Sequence, residues 1–173
     1  MTTPRHVVLV GLMGAGKSSV GRLLANALGD SFVDTDDVVV ASEGRSVQEL
    51  FSEQGEAHFR GLELDALRGE LGSLSPSVVA TGGGVVTTPE GRGVLSAHHP
   101  VILLDVSPAV AARRVGDGRN RPLLAGNPEE KLTELARQRR DAYVEVADFV
   151  VVVDDRTPGQ VVGALLEILG EAA

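Results

Sequence analysis

The chain of 173 residues has no cysteine and no tryptophan, and aromatic residues make up only 3% of it. Without thiols there is no disulfide framework, no thiolate metal site and no cysteine nucleophile. With so few aromatics, the core must be built mainly from Val, Leu and Ala. Lysine is nearly missing too: Lys17 and Lys131 are the only two. Most positive charge is therefore arginine, whose planar fork suits bidentate anion recognition. Positive charge is also in the minority, at a net −8, which argues against nucleic acid or an anionic membrane as the main partner. No apolar run is long enough to span a bilayer, and the N-terminus has no signal-peptide pattern. A cytoplasmic protein is expected, and a monomer. The length suits one domain with one proper core.

Against this background one stretch stands out. Val7-Val8-Leu9-Val10 is a short apolar run. It leads into Gly11-Leu12-Met13-Gly14-Ala15-Gly16-Lys17-Ser18, which fits G-x-x-x-x-G-K-[ST]. Apolar residues then recur at helical spacing at Val20, Leu23, Leu24, Ala27 and Leu28. Strand, glycine loop and helix together are the context that a phosphate-binding loop requires. The loop can curl so that several N–H groups face one anion, and the helix adds the positive end of its dipole. Lys17 would reach the β- and γ-phosphates, and the Ser18 hydroxyl would ligate Mg²⁺. A dinucleotide fingerprint is the weaker reading, because Ser19 stands where its third glycine belongs.

Further candidates follow in order. Phe32-Val33-Asp34 reads as a second strand. On an extended backbone Asp34 and Asp36 would point to the same side, with Asp37 pointing away. If this strand lies beside the first, its carboxyl end faces the phosphate loop. One carboxylate could then support Mg²⁺ and the other could orient an attacking hydroxyl; one of the three acids should instead cap the helix beginning near Val38. Ser46-Val47-Gln48-Glu49 fits a capping box at the head of a long helix that breaks near Gly55. In that helix Arg60 lies four residues after Glu56 and three before Glu63, the spacing of a surface ion-pair ladder. Residues 77–86 read as a buried strand ending in Gly82-Gly83-Gly84. Three glycines are costly to order, and close approach of a ligand to the backbone is one reason to keep them. Val101–Val106 reads as a central strand, and Pro108 starts a helix. Residues 116–128 are rich in glycine, proline and arginine and could form a mobile lid. A helix over 129–145, a strand over 148–153 and a helix from Pro158 complete the chain. The alternation of strand and helix predicts an α/β fold, a parallel sheet with helices on both faces.

In combination these stretches resemble the shikimate kinase family. The resemblance is carried by the glycine loop, Asp34-Thr35-Asp36, Phe59-Arg60-x-x-Glu63, Ala80-Thr81-Gly82-Gly83-Gly84, Arg121-Pro122-Leu123-Leu124, and Arg139 four residues before Tyr143. It runs from Val7 to about Val162. It implies a fold like that of the nucleoside monophosphate kinases, with five parallel strands, and transfer of phosphate from ATP, with Mg²⁺, to the 3-hydroxyl of shikimate. Gly14, Ala15, Gly16, Lys17, Ser18 and Ser19 would then hold the nucleotide, with Arg114 and Arg156 beside the adenine. Ser18 and Asp34 would carry the metal. Asp34 would also touch substrate, and Asp36 would bind the reacting diol and serve as candidate base. Arg60 and Arg139 would grip the substrate carboxylate, and Gly82, Gly83 and Gly84 would approach it through backbone. Lys17, Asp36 and Arg121 would be catalytic, with Arg121 on a lid over about 115–127 and the substrate segment over about 34–62. The resemblance, not the spacing, overturns the surface-ladder reading of Arg60. Arg119 has no counterpart in it, and Arg140 leaves a one-residue ambiguity that the distance to Tyr143 resolves toward Arg139. The rival readings are a kinase of another small hydroxy acid such as gluconate, a nucleoside monophosphate kinase, and a nucleotide-driven switch module.

Overall fold

The computed structural model describes residues 6–117 and 121–171. Five strands are present among them: β1 (Val7–Val10), β2 (Ser31–Asp34), β3 (Ser77–Ala80), β4 (Val101–Asp105) and β5 (Phe149–Val152). Seven helices accompany them: α1 (Lys17–Leu28), α2 (Thr35–Glu43), α3 (Val47–Leu71), α4 (Pro89–Ser96), α5 (Pro108–Val115), α6 (Pro128–Val146) and α7 (Pro158–Glu171). All strand pairs are parallel, in the order β2-β3-β1-β4-β5. The expected five-stranded parallel sheet is therefore observed.

The sheet is covered on both sides because its central strands are apolar at nearly every position. Val7 and Leu9 of β1 enter a cluster with Val20 and Leu24 of α1 and Val161 and Leu165 of α7. Val8 and Val10, one residue out of phase, enter a second cluster with Leu67 of α3, Leu95 of α4 and Tyr143 and Val146 of α6. Period-two alternation along a strand delivers neighbours to opposite faces, and each face here meets helices. A third, smaller cluster joins Val39 of α2 to Leu50 and Phe59 of α3. No helix among the described residues is long and apolar enough to cross a membrane.

Local signals act where they were read. Gly16 precedes α1 with φ of 88°, and Gly29 ends it in the left-handed region. Ser46 and Glu49 form the reciprocal capping box of α3. Gly55 breaks that helix with φ of 83° and ψ of 168°, so its two halves run in different directions.

Three expectations need correction. β2 does not lie beside β1, because β3 is inserted between them; the carboxyl ends of all three nonetheless share one end of the parallel sheet. Asp34 and Asp36 do not lie on one extended strand, since α2 begins at Thr35 and Asp34 is its N-cap. The strand expected over 77–86 stops at Ala80, and Val85–Thr87 form a 3₁₀ turn instead. Arg119 lies outside the described residues.

Candidate active site

The carboxyl ends of the strands open into a cavity of about 680 Å³, and every site residue singled out from the sequence lines it. One half of the cavity is the glycine loop between β1 and α1. Gly11, Gly14 and Gly16 all have positive φ, a conformation that costs a residue with a side chain dearly. The curl folds Lys17 back over the loop, where Nζ donates to Gly11 O at 2.7 Å and Leu12 O at 3.1 Å. Burial pulls its pKa down to about 8 against the attraction of Asp36. Arg114 spans from the loop to the far rim, donating to Gly14 O at 3.3 Å and Val153 O at 2.8 Å. Arg156 lines the same rim.

Between the two halves sit the acids. Asp34 accepts the Ser18 hydroxyl at 2.5 Å on one oxygen and the Asp36 N–H at 3.0 Å on the other. A single side chain thus caps α2 and links it to α1. The Ser18–Asp34 pair is a set of hard oxygen donors next to a phosphate-binding loop. The described residues hold no group of three or more His, Cys, Asp or Glu able to cage an ion. Mg²⁺ usually rests on one or two protein oxygens together with phosphate and water, so the pair fits that ion. Asp36 is different: its Oδ1 is buried without a hydrogen-bond partner. Burial pushes its pKa up, and the neighbouring charge of Asp34 pushes it further. Asp36 also neighbours the Glu63 carboxyl there, and a buried carboxylate is stabilised by a hydroxyl donor.

The remaining wall is the three-glycine turn after β3, with Arg60 and Arg139 on either side. Gly82 N–H donates to Thr35 Oγ1 at 3.1 Å, which ties the turn to the start of α2. A Cβ on Gly82 would overlap the Glu63 carboxylate, and one on Gly84 would overlap the Arg60 guanidinium. Arg60 does form the expected ladder, to Glu63 at 2.5 Å and Glu56 at 3.0 Å. It is not a surface ladder, however: the Arg60 and Glu63 side chains are 10% and 2% exposed. Arg60 also stacks near the rings of Phe51 and Phe59, and its Nε is buried without a partner. Arg139 is buried and donates to Gly83 O at 2.9 Å, whereas Arg140 is exposed and lies outside the cavity. Arg121 lines the cavity just before the 3₁₀ turn Pro122–Leu124.

One cavity neighbour was named from the sequence only in the ion-pair ladder and as part of the Phe59-Arg60-x-x-Glu63 motif, and was given no site role. Glu63 sits against both Arg60 and Asp36, and burial with the help of Asp36 raises its pKa to about 7, partly offset by Arg60. Its sequence signal was the i,i+3 spacing to Arg60, which is the same in a solvated pair.

A P-loop on a parallel sheet, a serine–aspartate oxygen pair and converging arginines define the class: a P-loop phosphotransferase of the nucleoside monophosphate kinase-like fold. Comparison with known proteins narrows this. The family model for shikimate kinase matches residues 13–170. A shikimate kinase of Salinispora arenicola is 48% identical over 162 residues, covering 92% of this chain and 96% of that one. One of Streptomyces avermitilis is 43% identical over 169 residues, covering 98% and 97%. Among solved structures, a shikimate kinase of Acinetobacter baumannii in complex with shikimate superposes with a TM-score of 0.94 at 33% identity, covering 98% of this chain and 95% of that one. A gluconokinase of Sinorhizobium meliloti, at a TM-score of 0.64 and 23% identity, shares the fold. The chain belongs to the shikimate kinase family.

Proposed function

We propose that this enzyme transfers the γ-phosphoryl group of ATP to the 3-hydroxyl of shikimate, giving shikimate 3-phosphate and ADP. The observation that carries the reading is the pair of buried groups on the acceptor side of the cavity: the Asp36 carboxyl, which meets the Glu63 carboxyl, and Arg60, whose Nε has no partner. One suits a substrate hydroxyl and the other a substrate carboxylate, and the phosphate loop faces both.

Phosphoryl transfer asks the protein mainly for positioning and charge stabilisation. Gly14 to Ser19 present backbone N–H groups to the phosphates, and Lys17 swings from its carbonyl partners onto the β- and γ-oxygens. Arg114 and Arg156 bracket the base. Ser18 and Asp34 would hold Mg²⁺, which when bound neutralises charge on the phosphate oxygens. Asp36 holds the attacking hydroxyl in line and accepts its proton. Arg60 and Arg139 fix the carboxylate at the opposite end of the acceptor, with the N–H groups of the 82–84 turn beside it. Arg121 closes on the transferred group from the lid, and closure excludes water so that ATP is not merely hydrolysed. We read the chain as one kinase domain, monomeric and cytoplasmic, supplying phosphorylated shikimate for aromatic amino-acid synthesis.

The test is a coupled ADP-release assay with ATP and Mg²⁺, offering shikimate, gluconate, AMP and no acceptor in parallel. Turnover with shikimate alone is expected. Turnover with gluconate or AMP instead would discard the acceptor-site roles, and acceptor-independent ADP release would refute the kinase reading.

A further inference from the structure

The 82–84 turn carries a puzzle of its own. Glycine on both sides of a peptide makes that peptide easy to flip, so three successive glycines do not by themselves decide which way their N–H groups face. In this structure the Gly83–Gly84 peptide is held from behind. Gly83 O accepts two hydrogen bonds, from Arg139 Nη1 at 2.9 Å and from Tyr143 Oη at 2.5 Å. The two donors are four residues apart on α6 and therefore share one helix face. In a trans peptide the N–H points opposite to the C=O. With its carbonyl turned toward α6, this peptide directs the Gly84 N–H away from α6. That N–H has no acceptor among the described residues, and Gly84 packs directly against the Arg60 guanidinium.

We propose that Tyr143 is a positioning residue for the acceptor site: by holding Gly83 O it aims the Gly84 N–H at the substrate carboxylate beside Arg60. The inference rests on the shikimate reading above. The two donors to Gly83 O are not equivalent. Under the proposed function Arg139 also serves the substrate carboxylate, whereas Tyr143 does not. The Tyr143 phenol meets Gly83 O and its helix neighbour Arg139, and no substrate group is assigned to it. Its side chain is 4% exposed, its ring is packed in the core with Val8, Val10 and Leu67, and its hydroxyl proton goes to Gly83 O. Burial also raises its pKa, so the phenol remains a proton donor throughout the working range of the enzyme. The orientation of the turn is thus stored in α6 and survives the commitment of Arg139 to substrate.

The experiment compares wild type with Tyr143→Phe, which keeps the ring and removes the donor. Loss of one neutral hydrogen bond corresponds to a roughly threefold to tenfold rise in KM for shikimate, with kcat and the Kd for an ATP analogue unchanged. A tyrosine that merely stabilises the core would lower Tm and leave the KM for shikimate at its wild-type value, and that result overturns the proposal. Wild-type turnover in the same assay separates failure of this inference from failure of the substrate reading. A second measurement needs no variant: in ¹⁵N-labelled wild type, titration with shikimate should shift the Gly84 amide resonance downfield. A Gly84 amide that does not respond to saturating shikimate overturns the proposal as well.

Discussion

Replacing Glu63 by glutamine should change how stability depends on pH, by an amount that the structure sets. The Glu63 carboxyl is 2% exposed and lies between the Arg60 guanidinium and Asp36. Burial raises its pKa from the ordinary 4.5 to about 7, Asp36 adds to the rise, and Arg60 offsets only part of it. The folded protein therefore keeps this proton over a range where the unfolded chain has already released it. Stability then falls as pH rises, because the unfolded state binds fewer protons. The favourable contribution is complete below pH 4.5 and is lost as pH passes through about 7. The gap between the two values corresponds to about 3 kcal/mol. Glutamine cannot titrate, so the stability of wild type minus that of Glu63→Gln should fall by about this amount between about pH 4.5 and about pH 8. Urea unfolding across that range measures it, provided the m-value is the same for both proteins. Taking the difference removes the titration of carboxylates remote from the site. A flat difference would mean that Glu63 is an ordinary carboxylate. A difference that rises with pH would mean that attraction to Arg60 outweighs burial. Either result would refute burial as the force that sets the charge state of this pair.

Three further outcomes test the assigned roles. Asp36→Asn should lower kcat by roughly 100-fold or more, the scale of a lost general base, while an ATP analogue still binds normally; wild-type turnover in this variant would remove Asp36 from the chemistry. Arg60→Ala should raise the KM for shikimate by roughly 10- to 100-fold, the scale of lost charge-assisted hydrogen bonds, with little change in the KM for ATP; a normal shikimate KM would leave Arg60 as only the ion-pair partner of Glu56 and Glu63. Gly84→Ala should weaken shikimate binding by roughly tenfold, the scale of a lost charge-assisted hydrogen bond, because its Cβ would displace the Arg60 guanidinium from its place beside the turn. Steady-state kinetics that show no loss in this variant would mean that Arg60 can move freely without harm to binding.

The parts of this site that were legible in the sequence are those whose geometry is local. The glycine loop closes within eight residues, and its glycines, lysine and serine stand at a fixed spacing between β1 and α1. The capping box at Ser46 and the break at Gly55 are local in the same sense. Asp34 and Asp36 show the limit. The inference that they share one side of a strand failed, because Asp34 uses its side chain to start a helix at Thr35. Both still reach one cavity, by a route that alternation along a strand does not describe. Arg60 shows the limit more sharply. Glu56, Arg60 and Glu63 have identical spacing whether the helix face is wet or dry, and only the packing of the second half of α3 against the 82–84 turn makes it dry.

That packing also changes the reason for the three glycines. From the sequence they were read as room for a ligand. In the structure Gly82 makes room for the Glu63 carboxylate and Gly84 for the Arg60 guanidinium, so two of the three clear space for the protein's own charged groups. Gly83 is the exception: a Cβ there would meet nothing closer than 3.5 Å, from Arg139 Nη1 and Gly11 O. Its part in the turn is the carbonyl that α6 holds. The turn and the ion pair are therefore one unit. The missing side chains let a buried glutamate and arginine press against backbone, and that contact turns an ordinary helical ion pair into one wall of the cavity.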